Sequence, residues 1–265
     1  MRIVILDDEA AVSRRAADIL CQHVQSSDTP VLGLATGGTP LGTYKELVRR
    51  QQEGLVDFSA VTTFNLDEYV GLPPEHEQSY CTFMRQNLFD PARFDLSRCH
   101  LPVGHLENYE EDCQHYEQRI SDAGGIDIQL LGIGTDGHIA FNEPGSSLAS
   151  RTRIKALTEQ TRSDNARFFD SLDEVPKVAI TMGIGTILEA RKIVLLATGE
   201  GKASAVRSFV EGPLTAQVPA SALQLHEAVT VLLDEAAAAW LVRQDYYRHV
   251  EAIQRELEER SRIEC

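Results

Sequence analysis

The sequence predicts a doubly wound α/β fold with a mostly parallel central sheet covered by helices on both faces. Two observations lead there. Short Val/Ile/Leu-rich runs alternate with amphipathic stretches along the whole chain, the pattern of strands joined by helical crossovers. Several of these runs are continuously apolar rather than alternating, which means burial on both faces beneath covering helices. In such a fold, ligands bind beyond the carboxyl ends of the strands, where the strand order reverses. The residues that follow each strand are therefore the place to look for function.

Taken in order, the first strand is Arg2–Leu6, followed by a helix over Glu9–Val24. Strand Val31–Ala35 turns through two glycines into a helix over Leu41–Glu53, with Pro40 at its entry, where a missing N–H costs nothing. Strand Val61–Asn65 precedes a helix over Ser79–Leu88, whose N-cap is Ser79. A helix over Glu107–Ala123 leads to strand Ile126–Gly132. Strands Arg153–Leu157 and Lys177–Thr181 flank a short helix over Asp164–Phe169. Strand Ile193–Ala197, a helix over Lys202–Val210, strand Val229–Leu233 and one long terminal helix over Asp234–Glu259 complete the alternation. No repeat, low-complexity segment or linker interrupts it, so residues 1–265 read as a single domain.

Composition narrows the class. Hydrophobic residues make up 43% of the 265, enough for a core. No apolar run approaches the roughly eighteen residues a spanning helix needs, and the opening MRIVILDDEAAV lacks the long apolar region of a secretory signal. Five scattered cysteines without a CxxC pair read as reduced thiols in a cytoplasm. A net charge of −15 repels nucleic acid and anionic membrane, although it leaves open a local pocket for a small anion.

Four strand ends carry chemistry. In LGLATGGTPLGTYKEL, Thr36, Gly37, Gly38 and Thr39 bring backbone N–H groups and hydroxyls to the start of a helix, an anion site in outline. It is neither a Walker motif nor GxGxxG, and a plain tight turn is the competing reading. In TTFNLDEYVGL, Asp67 and Glu68 close a strand. A carboxylate there is able to abstract an acidified carbon-bound proton, whereas loop solvation is the commoner fate of such a pair. In GIGTDGHIAFNEPGSS, Asp136 and His138 lie two apart, on one side of an extended chain, with Glu143 across a turn. Carboxylates fix a histidine's tautomer and raise its basicity. A metal reading ranks lower, because there is one His and no second His or Cys at ligand spacing. Last, Arg167 and Lys202 are cations near strand ends in an acidic chain, suited to covering surface or to holding an anion.

Taken together, LGLATGGTPLGTY, FNLDEYVGL, GIGTDGHIAFNEPGSS, TRIKALT and GEGKA resemble the glucosamine-6-phosphate deaminases. The likeness runs from near the N-terminus to past residue 200. It implies a modified Rossmann-like three-layer α/β fold, and conversion of D-glucosamine 6-phosphate to D-fructose 6-phosphate and ammonia, with no organic cofactor and no metal. It implies that His138 opens the sugar ring, oriented by Asp136 and Glu143, and that Asp67 carries the C2 proton to C1. The Thr36–Thr39 turn, Arg167 and Lys202 would hold the phosphate. Some members are hexamers activated by N-acetylglucosamine 6-phosphate between subunits. Ser146, Arg153 and Lys155 match that effector site, while Ala156 and Arg248 replace its threonine and tyrosine. The implied partners are thus a sugar phosphate, this effector and further copies of the chain, as a homo-oligomer.

Three rivals are weighed against this. A 6-phosphogluconolactonase shares the fold and the Gly-Gly-Thr turn, but would show GEDGHTASLFP where this chain has GTDGHIAFNEP, with a third acid. A sugar-phosphate sensor would carry a helix-turn-helix, and this chain opens on a strand. A degenerate relative would lack part of the catalytic set, which here is complete.

Overall fold

The computed structural model describes residues 1–103, 108–159, 162–163, 166, 169 and 171–263. Seven strands form one parallel sheet: β1 (Arg2–Leu6), β2 (Val31–Leu34), β3 (Thr62–Asn65), β5 (Cys99–His100), β6 (Ile128–Leu131), β9 (Lys192–Ala197) and β10 (Val229–Asp234). Their order is β1-β10-β9-β6-β2-β3-β5, every pairing parallel.

The continuous apolar runs do what their pattern predicts, since side chains alternate between two buried faces. Leu32, Leu34, Ile128, Leu130, Val194 and Leu232 pack on one face with Leu20 of α1 (Glu9–Ser26) and with Tyr44 and Leu47 of α2 (Leu41–Gln52). Val31, Phe64, Leu131, Leu195 and Val231 pack on the other. That second face is covered by Tyr116 of α4 (Tyr109–Asp122), Ile184 and Ile187 of α5 (Ile184–Leu188), and Phe209 of α6 (Ala203–Val210). Each fully buried Leu or Phe contributes about 1.5–3 kcal/mol, so this double burial fixes the strand ends that carry the site.

The structure corrects three expectations. Arg153–Leu157 and Lys177–Thr181 do form strands, β7 (Arg153–Ala156) and β8 (Val178–Thr181), but not in the parallel sheet. With β4 (Asp67–Tyr69) they make a separate antiparallel sheet of order β4-β8-β7. Leu66 joins the two sheets: its N–H donates to the carbonyl of Leu34, and its carbonyl accepts from Met182 N–H at 2.7 Å. The helix expected over Ser79–Leu88 is α3 (Tyr80–Met84), continued by a π-helical turn over Arg85–Phe89. The single terminal helix is two, α7 (Glu235–Ala238) and α8 (Gln244–Ile263). Glu211 explains the break, because its carboxylate takes the N–H groups of Val242 and Arg243 at 2.9–3.1 Å and starts a second helix there. The helix expected over Asp164–Phe169 lies mostly outside the described residues.

Candidate functional site

The chain leaves β2 toward β3 and β5, then resumes on the other side of β2 with β6, β9 and β10. The order therefore reverses between β2 and β6, which is where a crevice opens in a doubly wound sheet. A cavity of about 610 Å³ lies there. It is lined by Thr36, Gly37, Gly38 and Thr39 after β2, Asp67, Tyr80, the Gly132–Thr135 turn and His138 after β6, and Lys202 after β9.

The glycine turn is shaped for an anion. Gly37 has φ +98°, which a side chain strains to adopt. Tyr44 donates its hydroxyl proton to the carbonyl of Ala35, tying α2 to the end of β2. Pro40 sits at the N-cap without a side-chain cap bond. Among the described residues, none accepts from the N–H groups of Gly37, Gly38 or Thr39.

Asp67 and Glu68 are both buried, at 6% and 8% exposure. Burial first, and the neighbouring Glu68 charge second, push the Asp67 carboxyl up to about 8. Burial also raises Glu68, but three backbone N–H bonds to its carboxylate oppose the rise. The protonated form of Asp67 is therefore favoured in the free protein.

Asp136 and His138 meet, but not in extended chain. Gly137 takes φ +87° in a turn closed by Gly134 N–H donating to the His138 carbonyl at 2.9 Å. The turn lets Asp136 Oδ1 accept from the backbone N–H of His138 at 3.1 Å while standing 2.7 Å from its Nδ1. The bond to His138, its largest cause, holds the Asp136 carboxyl down to about 2. Asp136 stands on the Nδ1 side of the ring, so a proton carried on Nδ1 would leave Nε2 as the nitrogen that exchanges one.

Glu143 is buried, and its Oε1 accepts from the N–H and hydroxyl of Thr158 at 3.2 and 3.0 Å. Lys202 ends a turn pinned from below: Gly199 N–H donates to both Asp234 oxygens at 2.9–3.1 Å, and Asp234 also caps α7. Arg167 lies outside the described residues. Arg153 and Lys155 stand on β7, and Ser146 is buried with its hydroxyl unpartnered among the described residues; none of the three lines the cavity.

Sequence reasoning missed the residues that join these parts. Thr181 is the register partner of Asp67, and its Oγ1 accepts from Phe141 N–H at 3.2 Å. Asn142 donates to the carbonyls of Ile139 and Met182 at 3.0 and 2.8 Å. Through these bonds β8 holds the Asp67 strand and the His138 loop together. Tyr80 forms a wall, stacked on Phe141 with rings 8° from parallel. Thr181 ends an apolar strand and Tyr80 follows a cap, so neither carried a local signal. Among the described residues, no three His, Cys, Asp or Glu side chains converge as a metal site, and no helix is long and apolar enough to cross a membrane.

Residues 7–232 match the family described as glucosamine-6-phosphate isomerases/6-phosphogluconolactonase. A glucosamine-6-phosphate deaminase of Shewanella halifaxensis is 55% identical over 251 residues, 95% of each chain. Those of Cellvibrio japonicus and Rhodococcus jostii are each 53% identical, over 95% of both chains and over 94% and 96% respectively. The solved structure of a monomeric glucosamine-6-phosphate deaminase is 47% identical, with TM-score 0.88, covering 91% of this chain and all of that one. A 6-phosphogluconolactonase from Shewanella baltica has TM-score 0.70 at 20% identity, covering 88% of this chain and 97% of its own, a likeness of fold alone.

Proposed function

The chain belongs to the glucosamine-6-phosphate isomerase/6-phosphogluconolactonase family, and we infer that within it the chain is a deaminase, converting D-glucosamine 6-phosphate and water to D-fructose 6-phosphate and ammonia. One observation carries the reading: Asp67 and His138 line one cavity from different strand ends, beside a turn whose N–H groups have no acceptor among the described residues. The reaction needs two proton relays and one anion anchor, and the residues lining this cavity suit all three roles.

The phosphate docks on the Thr36–Thr39 turn and Lys202, with Arg167 as a further cation, and orients the sugar. His138 Nε2 takes the proton of the anomeric hydroxyl and returns one to the ring oxygen, opening the ring. Asp136 holds the imidazole in the required tautomer and stabilises its charged form. Glu143 steadies this loop from the Thr158 side. Asp67 then removes the C2 proton, which the open-chain aldehyde acidifies, and delivers it to C1. The product is a ketose imine, which water hydrolyses to ketone and ammonia. An arriving C2 ammonium favours the ionised form of Asp67 and offsets the burial that protonates it.

Regulation is a separate proposal. N-acetylglucosamine 6-phosphate would bind at Ser146, Arg153 and Lys155 in a homo-oligomer, up to a hexamer. Support comes from Arg153 and Lys155 lying two apart on β7, so on one face. Arg248, which replaces the effector tyrosine, is instead paired with Glu235 at 2.6–2.8 Å. The four described free cysteines, Cys21, Cys81, Cys99 and Cys113, favour a reducing cytoplasm.

The test is ammonia and fructose 6-phosphate release from glucosamine 6-phosphate in EDTA, with and without the effector, beside 6-phosphogluconolactone hydrolysis. Ammonia release supports the deaminase. Rapid lactone hydrolysis without ammonia would reassign the chain to the other branch.

A further inference from the structure

The Asp67–Glu68 pair leaves one acid unused by the reaction as derived. Glu68 is buried in β4 and accepts three backbone N–H bonds, each 2.9 Å: Oε1 from Tyr69 and Tyr80, Oε2 from Cys81. Tyr80 and Cys81 are the first two residues of α3, so one carboxylate ties the strand of the C2 base to the helix that presents Tyr80. Tyr80 is the cavity wall stacked on Phe141, whose N–H is bonded to Thr181. A glutamine would satisfy some of these donors, but would bring two amide protons to a place that offers only N–H groups.

We propose that Glu68 is a positioning residue for the deaminase reaction: it clamps Tyr80 as the cavity wall and holds a fixed negative charge beside Asp67. The inference rests on the deaminase reading. Like charges one residue apart, in a buried site, oppose each other's ionisation. Three N–H groups stabilise the charge on Glu68, so the hydrogen-bond geometry favours the charge on Glu68 and the proton on Asp67. Among the described residues, the other titratable groups near Asp67 include Tyr80 of α3, Tyr116 of α4, and His138 and Lys202 across the cavity. Burial holds both phenols well above their ordinary range, so they stay neutral. Removing the Glu68 charge therefore frees Asp67 to ionise at lower pH.

The test measures kcat and KM between about pH 5.5 and 9.5 for the native protein, Glu68→Gln and Glu68→Asp, with thermal unfolding of each. Glu68→Gln is expected to move the acid limb of kcat/KM down by about one pH unit. Glu68→Asp keeps the charge but is one methylene short of Tyr80 and Cys81, so the limb stays while KM rises about tenfold. A lowered melting temperature with the limb unmoved in Glu68→Gln would make Glu68 a structural anchor only, and KM unchanged in Glu68→Asp would remove the clamp on Tyr80; either overturns the proposal. The Asp variant carries the test if the Gln variant does not fold. A native protein that releases no ammonia would instead fail the deaminase reading itself.

Discussion

The imidazole of His138 rests against the α-carbon of Gly134. A β-carbon built at position 134 would stand 2.3 Å from both Nδ1 and Cε1 of that ring. The glycine is thus required by close approach, and the ring's placement over Asp136 depends on it. Gly134→Ala is predicted to push the imidazole off its carboxylate and lower kcat about 10²-fold, the usual cost of a displacement near 1 Å. Steady-state kinetics, with circular dichroism to show the fold intact, would check this.

Asp136→Asn removes the charge 2.7 Å from Nδ1. The expected loss in kcat is about 10²–10⁴-fold, with KM little changed. The pair also leaves a mark on stability. The Asp136 carboxyl is held down to about 2, below its unfolded value of about 3.9. Its contribution is therefore present above the unfolded value and lost as pH falls from there toward 2. Asp136 is half-exposed, so the effect is small. Acid titration of the melting temperature should show this loss in the native protein and not in the variant.

Asp67 carries the opposite sign. Its carboxyl is raised to about 8 when folded, against about 3.9 unfolded. Between those values the folded state binds the extra proton, so stability falls as pH rises through the window. Asp67→Asn is predicted to abolish turnover while raising the melting temperature at about pH 8, with the gain shrinking toward pH 4. This is the trade expected where an active site holds a destabilised group. A variant that melts no higher than the native protein at pH 8 would contradict the account of Asp67.

Lys202 reaches the cavity from a turn that Asp234 pins at Gly199. Lys202→Ala is expected to raise KM for the phosphorylated sugar about tenfold or more. Asp234→Ala should raise it less, since it loosens the turn but keeps the cation. Equal KM values for Lys202→Ala and native protein would remove Lys202 from the phosphate site.

The alternation of Val/Ile/Leu runs with amphipathic stretches was enough to find the parallel sheet, because its strands are buried on both faces and read as unbroken apolar runs. The glycine turn, Asp67 and the Asp136–His138 pair were legible because their residue types are unusual at strand ends. The short antiparallel sheet was not. Its β4 is three residues containing two acids, too short for any periodicity to register, as is the two-residue β5 of the parallel sheet. The role of Thr181 depends on its pairing with Asp67, 114 residues away by number, and no local pattern encodes it. Burial of Asp67 was equally invisible. Its protonated free state follows from the packing around it rather than from the residue type.

The central claim is that two separate relays act in one cavity, His138 for ring opening and Asp67 for C2-to-C1 transfer. The most direct measurement is the kinetic isotope effect with C2-deuterated glucosamine 6-phosphate on native protein and on His138→Gln. If His138 serves ring opening, its loss makes that step slow. The account then predicts a normal isotope effect in the native protein that collapses toward unity in the variant. An isotope effect in His138→Gln as large as the native one, or larger, would place His138 in the carbon proton transfer and contradict the division of labour.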